Sequence, residues 1–138
     1  MSATLIPITF DKIMQTKTYT AIILKTPMKR FAIYADASVG ARIQSSVVEA
    51  KKTRPHTHDM IDMVFRGLNV AMKQVTINDL KGSIYYARLV LEQKFENGIR
   101  HIVEVDARPS DCITLALINN VPVFCTQNVL DNALSFED

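Results

Sequence analysis

Apolar and polar positions alternate with a period near two over much of this chain and switch to a helical period in a few well-bounded segments. Leu5 to Phe10 alternates loosely, and Tyr19 to Leu24 and Phe31 to Ala35 are rich in β-branched and aromatic residues, so all three read as strands. Asp11 to Thr18 reads as a polar connection. Thr26-Pro27-Met28-Lys29 reads as a turn, because Pro fixes its own φ and pushes the preceding residue out of the helical region; an antiparallel hairpin follows. From Ser38 to about Lys52 the spacing predicts a helix with Val39, Ile43, Val47 and Ala50 on one face and Ser38 as its N-cap. Gly40 weakens only its first turn.

Lys51 to Pro55 forms a short basic linker. A second helix capped by Thr57 is predicted beyond it, with Met60, Ile61, Val64, Phe65 and Leu68 at core spacing and Gly67 marking its end. His58 and Asp62 are four apart on that helix and Arg66 is a neighbour of Asp62, an arrangement that reads as a solvated polar face. Val70 to Leu80 and Gly82 to Lys94 follow as strands. Asn97-Gly98 is a hairpin signal, because both residues tolerate positive φ, so Ile99 to Asp106 is expected to return antiparallel to Ser83 to Phe95. Pro122 to Cys125 reads as a short apolar strand and Asn128 to Leu134 as a short terminal helix.

Between these last strands lies a sharp strand-to-helix junction. Val103 to Val105 has strand composition, and Pro109 suits a first helical position because its missing N–H would have had no partner there. Ser110 and Asp111 then fall in the first turn, where oxygen-bearing side chains meet orphan N–H groups and a carboxylate complements the helix dipole. Cys112, Ile113, Leu115, Ala116, Leu117 and Ile118 cover nearly the whole circumference, and a helix apolar all round is buried. The pattern as a whole predicts an α+β fold: a mainly antiparallel or mixed sheet with packed helices, in one compact domain over residues 1–138.

Composition adds bounds. With 48% apolar residues in 138, a sizeable core is available, and a net charge of +2 is far from the basic balance that would by itself announce a nucleic-acid footprint. No apolar run approaches the roughly 18 residues of a membrane helix and no leader pattern opens the chain, so a cytoplasmic location without membrane attachment is the expectation. Cys112 and Cys125 sit in apolar surroundings and are expected as reduced, buried thiols.

The candidate chemistry gathers at two places. Asp106 and Asp111 are acids close enough in sequence to hold a hard cation such as Mg²⁺, which neutralises phosphate charge and activates water; equally, Asp111 can serve as a helix-start carboxylate with Arg108 as its ion-pair partner. Arg54, Lys51, Lys52 and His56 could contact phosphates, and His58 and Asp59 could add base or ligand functions, or His58 could play a structural role. Tyr85 and Tyr86 point to opposite faces of their strand, so at most one could stack on a base. Gly-rich phosphate loops, nucleophile elbows and zinc-protease helices have no counterpart here.

Asp106-Ala-Arg-Pro-Ser-Asp111 ahead of an apolar helix and Val121-Pro-Val-Phe124, together with Arg54-Pro-His-Thr-His-Asp59 at a helix start, resembles the bifunctional nuclease domain of bacteria and plants. Ile84-Tyr-Tyr-Ala87 and Ile22-Ile-Leu-Lys25 also fit, so the resemblance covers essentially the whole chain. It implies an α+β fold, self-association with a dimer favoured, and cleavage of DNA and RNA of low sequence specificity with Mg²⁺ or Mn²⁺. Carried over by position, it implies His58, Asp59, Asp106 and Asp111 as catalytic residues, Arg54, Arg108 and Ser110 as substrate-binding, Asp106 and Asp111 as metal ligands, and Thr57 as a further matched polar position. One departure stands out: family members commonly open the first helix with Glu-Ala after a Gly, whereas Tyr34-Ala-Asp-Ala-Ser-Val-Gly-Ala41 lacks that Glu and offers Asp36 nearby. The alternative reading is a non-catalytic oligomeric interaction or regulatory module that retains the fold.

Overall fold

The computed structural model describes residues 4–47 and 54–137. The end of the first predicted helix, including Ala50 and the side chain of Val47, and the linker residues Lys51 to Thr53 lie outside the described residues. In chain order the elements are β1 (Leu5–Gln15), β2 (Tyr19–Lys25), β3 (Arg30–Asp36), α1 (Ala37–Val47), α2 (Thr57–Gly67), β4 (Val70–Lys81), β5 (Ile84–Lys94), β6 (Arg100–Ala107), α3 (Pro109–Asn119), β7 (Val123–Thr126) and α4 (Gln127–Asn132). The strands form one seven-stranded mixed sheet in the order β3-β2-β1-β7-β4-β5-β6, in which the β4–β7 pairing is parallel and the rest antiparallel. The α+β expectation holds.

Burial explains why β2 lacks alternation. Ile22 and Leu24 face the main core, while Ala21 and Ile23 face a smaller cluster with Ala32 that Phe136 covers from the other side. The tail is stitched down there by Phe136 N–H to Arg30 O at 2.8 Å and Lys29 Nζ to Ala133 O at 2.7 Å. The sheet curls enough for β3 to meet β5 across the core, where the Phe31 and Tyr85 rings stack at 5.7 Å. α3 fills the interior of that curl, packing against α1, α2, β3, β4 and β5. Its Cys112, Ile113, Leu115 and Ala116 are almost fully buried, as an all-round apolar helix requires.

Several boundaries differ from the pattern reading. Asp11 to Gln15 continues β1 instead of forming a polar connection, because a register irregularity between Phe10 and Lys12 lets the strand keep pairing with β2. Ser38 is not a cap: α1 already begins at Ala37, and the Thr20 hydroxyl on β2 accepts the Gly40 N–H at 3.1 Å. At Gly40 a Cβ would come 2.6 Å from the exposed Gln15 side chain, which would have to shift to admit it. Thr57 is the first helical residue of α2 and His56 its cap, with Asp59 Oδ2 accepting the His56 N–H at 2.8 Å. The β5–β6 connection spans Phe95 to Ile99, with positive φ at Gly98 alone. α4 starts one residue earlier than expected and stops at Asn132, its N–H of Val129 capped by Thr126 Oγ1.

α2 departs most. Only Ile61 and Phe65 of its predicted core residues pack inward; Met60, Val64 and Leu68, with Met63, are exposed. The side expected to be solvated is the inner one, with His58 9% and Asp62 8% exposed. Asp62 is neutralised by Arg66 Nη2 at 3.1 Å, so a charged residue can face inward on a helix whose apolar residues do not. Among the described residues, no helix is long and apolar enough to cross a membrane.

Cys112 and Cys125 are free and buried, and burial pushes their thiols up to about 12 and about 11 respectively. Neither is expected to react with an aromatic disulfide reagent at neutral pH in the folded protein, and both are expected to react on unfolding in guanidinium. Rapid native-state labelling would contradict the packing of α3 against the sheet.

Candidate functional site

The β6–α3 junction is built as its residues dictate. Arg108 takes an extended conformation (φ −64°, ψ 142°) as N-cap, Pro109 sits where no N–H is needed, and Asp111 lands in the first turn. Both Asp111 oxygens are engaged. Arg108 donates from Nε to Oδ2 at 2.7 Å and from Nη2 to Oδ1 at 3.3 Å, while His58 Nε2 lies 3.0 Å from Oδ1. One carboxylate thus ties the start of α2 to the start of α3 and fixes the exposed guanidinium between them.

Burial alone would raise the Asp111 carboxyl, but the hydrogen bonds from Arg108 and His58 and their charges outweigh it and hold the group below the usual carboxylate value. Asp111 is therefore ionised at neutral pH and can only accept, so His58 carries a proton on Nε2. The same contact raises Arg108, with a smaller contribution from Asp36. Arg108 remains 67% exposed, and a guanidinium with five donors has several left for an anion.

Those donors belong to a cleft of about 360 Å³, walled by Tyr34, Asp36, Ser83, Tyr85, Arg108 and Ser110. Three separate stretches of chain meet there: the end of β3 running into the start of α1, the β4–β5 turn, and the junction before α3. Of the residues singled out from the motifs, Arg108 and Ser110 line the cleft, and His58 and Asp111 stand behind Arg108. Asp59 closes the first turn of α2. Arg54 is exposed just ahead of that helix, with no hydrogen bond or ion pair among the described residues. Asp106 is exposed on β6 opposite Arg88 of β5 and likewise makes none. Pattern reading missed Tyr34 and Ser83 as walls of the site, because only the curl of the sheet brings β3 and the β4–β5 turn to Arg108. Asp36, noted as an acid near the place of the missing Glu, is in the cleft. Tyr85 faces the cleft and core while Tyr86 turns out to Lys81, confirming their opposite faces.

A hard divalent ion caged by Asp106 and Asp111 does not fit this donor set. Both Asp111 oxygens already serve cationic or N–H partners, so an ion held there would have to displace Arg108 or His58. Among the described residues, no three His, Cys, Asp or Glu side chains gather as a metal site.

Comparison with known proteins agrees with the motifs. The model of the bifunctional nuclease domain matches residues 22–138. The chain is also 32% identical over 101 residues to the uncharacterized proteins MT1877 and Rv1829 of two Mycobacterium tuberculosis strains. That alignment covers 73% of this chain and 57% of each relative, so the chain spans a little over half of their length. With its two motifs folded into one junction and the family match running over nearly the whole sequence, the chain belongs to the bifunctional nuclease domain family.

Proposed function

We propose that this protein is a phosphodiesterase that cleaves DNA and RNA with low sequence specificity, its substrate phosphate held at Arg108. The observation that carries this reading is the exposed guanidinium, fixed by a bidentate bond to Asp111 and presented into the same cleft as Ser110 and Asp36. A planar fork held in place from behind neutralises phosphate charge without reorganising, which is how a fixed cation stabilises a phosphoryl transition state. Asp36 is the carboxylate on the cleft wall and the candidate for orienting an attacking water. His58 and Asp111 are positioning residues, since they act through Arg108. The Tyr34 and Tyr85 rings offer apolar surface for sugar or base without reading sequence.

The test is cleavage of single-stranded DNA and of RNA by purified protein, with Asp36→Asn alongside. Both polymers are expected to be cut, and Asp36→Asn to lose most of the activity while still binding oligonucleotide. Because no three His, Cys, Asp or Glu side chains gather as a metal site among the described residues, binding of labelled oligonucleotide is expected to survive EDTA within about twofold, a change worth roughly 0.4 kcal/mol. Binding that collapses in EDTA would restore a metal, and with it Asp106, to the site. The second reading, a non-catalytic oligomeric module, draws on the same bond: Asp111 joins two helices whether or not anything is cut. Absence of cleavage of either polymer under all these conditions would favour it.

A further inference from the structure

A second cavity, of about 320 Å³, adjoins the cleft at Arg108. The two share Tyr34, Ser83 and Tyr85, so they are neighbours across these side chains. Its far wall is Leu80 of β4 together with the C-terminal tail, which contributes Leu134 and Phe136. The tail is held in place there. Phe136 N–H donates to Arg30 O at 2.8 Å, the Arg30 guanidinium lies 5.6 Å from the centre of the Phe136 ring, and Phe136 packs on Ala21, Ile23 and Ala32. Tyr85 is fixed from behind as well, its ring stacked on buried Phe31 at 5.7 Å. These walls are formed before any ligand arrives.

The chemistry of the second cavity differs from that of the first. Arg108 and Asp36 line the cleft, whereas among the described residues no charged side chain lines its neighbour. Each is near the lower bound of small-ligand sites, about 300–1,000 Å³. A charged recess beside a neutral, ring-walled one matches the two halves of a nucleotide, an anionic phosphate and a flat neutral base. Tyr34 is 63% and Leu134 87% exposed, so a base laid between them covers apolar surface that the chain alone leaves in water.

We propose that the second cavity takes the base of the nucleotide whose phosphate sits at Arg108, and that the substrate is therefore single-stranded nucleic acid. A base enters such a recess only when unpaired and lifted from its stack, which a duplex resists. This assignment rests on the reading of Arg108 as the phosphate site. Recognition there is by shape and stacking more than by base identity. Both amide protons of Asn132 are taken up by Asn128, at 2.7 Å to its O and 3.1 Å to its Oδ1, and the hydroxyls of Ser83 and Ser135 can each donate or accept.

The test is fluorescence anisotropy with a labelled thymidine oligomer and an abasic oligomer of the same length, on the full chain carrying Asp36→Asn so that binding is read without cutting. The thymidine oligomer is expected to bind about tenfold tighter than the abasic one, the scale of one base stacked on an aromatic ring, and to lose that gain when paired with its complement. Tyr34→Ala is expected to bring the ratio of the two affinities close to one and Tyr34→Phe to keep it within about twofold, because the ring and not the hydroxyl does the stacking. Leu134→Ala, which alters the second cavity and not the cleft, is expected to reduce the ratio by about threefold through lost apolar contact. Both positions are exposed, so neither change threatens the fold. Arg108→Ala is expected to weaken both oligomers and leave their ratio standing. Equal binding of the two oligomers, or a duplex bound as tightly as the single strand, would overturn the base site, and leaves the phosphate site intact if Arg108→Ala still weakens both. A ratio that Tyr34→Ala removes, with Arg108→Ala changing neither affinity, would overturn the phosphate site instead.

Discussion

Arg108→Ala is expected to lower phosphodiester cleavage by about 10²–10³-fold, the loss seen when one pre-positioned donor to a developing oxyanion is removed. Stability should barely respond. Arg108 is 67% exposed, so its contact with Asp111 is screened, and exposed pairs of this kind are worth about 0–1 kcal/mol. A large loss of rate with melting nearly unchanged separates a phosphate-binding role from a scaffolding one. Arg108→Lys is the sharper control. Lysine restores the charge but not the planar fork that grips Asp111 through two nitrogens, so recovery should be small. Full activity in Arg108→Ala would remove the guanidinium from the mechanism, and with it the assignment of the cleft.

The opposite signature is expected one turn along the helix. Asp111→Ala leaves the buried His58 Nε2–H without its acceptor and frees Arg108 to wander, and it unties the start of α2 from the start of α3. A buried donor left unsatisfied costs about 1–3 kcal/mol, so unfolding in urea should show a loss in that range, accompanied by reduced cleavage because Arg108 is no longer held. The carboxyl also makes this stability depend on pH. Folding lowers its pKa, so the folded state binds fewer protons than the unfolded chain. The contribution is complete above the ordinary carboxylate value of about 3.9 and is lost as pH falls through the lower folded value. Wild-type melting should therefore fall more steeply than that of Asp111→Asn across this acid range. Parallel curves for the two proteins would show that the carboxylate is not held as the structure places it.

These two variants separate what the motif Asp106-Ala-Arg-Pro-Ser-Asp111 leaves merged. Its residues are neighbours in sequence, yet they do three different things. Asp106 is exposed on an edge strand, Arg108 and Ser110 face the cleft, and Asp111 turns back to bind Arg108 and reach His58. The change from strand to helix within this stretch sends successive side chains in different directions, which is why the spacing could be legible while the roles were not.

The pattern of apolar positions was enough to place β2, β3, β5 and α3, because each buries a continuous or strictly periodic apolar surface that water disfavours whatever its neighbours are. Pro109 was enough to start α3, and the all-apolar circumference of that helix was enough to bury it, since both are local consequences of covalent geometry and side-chain hydration. What surrounds α3 was not local. That β7 pairs in parallel with β4, that the sheet curls until Phe31 stacks on Tyr85, and that Tyr34, Asp36 and Ser83 meet Arg108 across a cleft all depend on contacts between distant parts of the chain. So does the reversal of α2: its His58 turns inward because Asp111, 53 residues away, is there to accept its hydrogen bond, while its methionines are left exposed among the described residues.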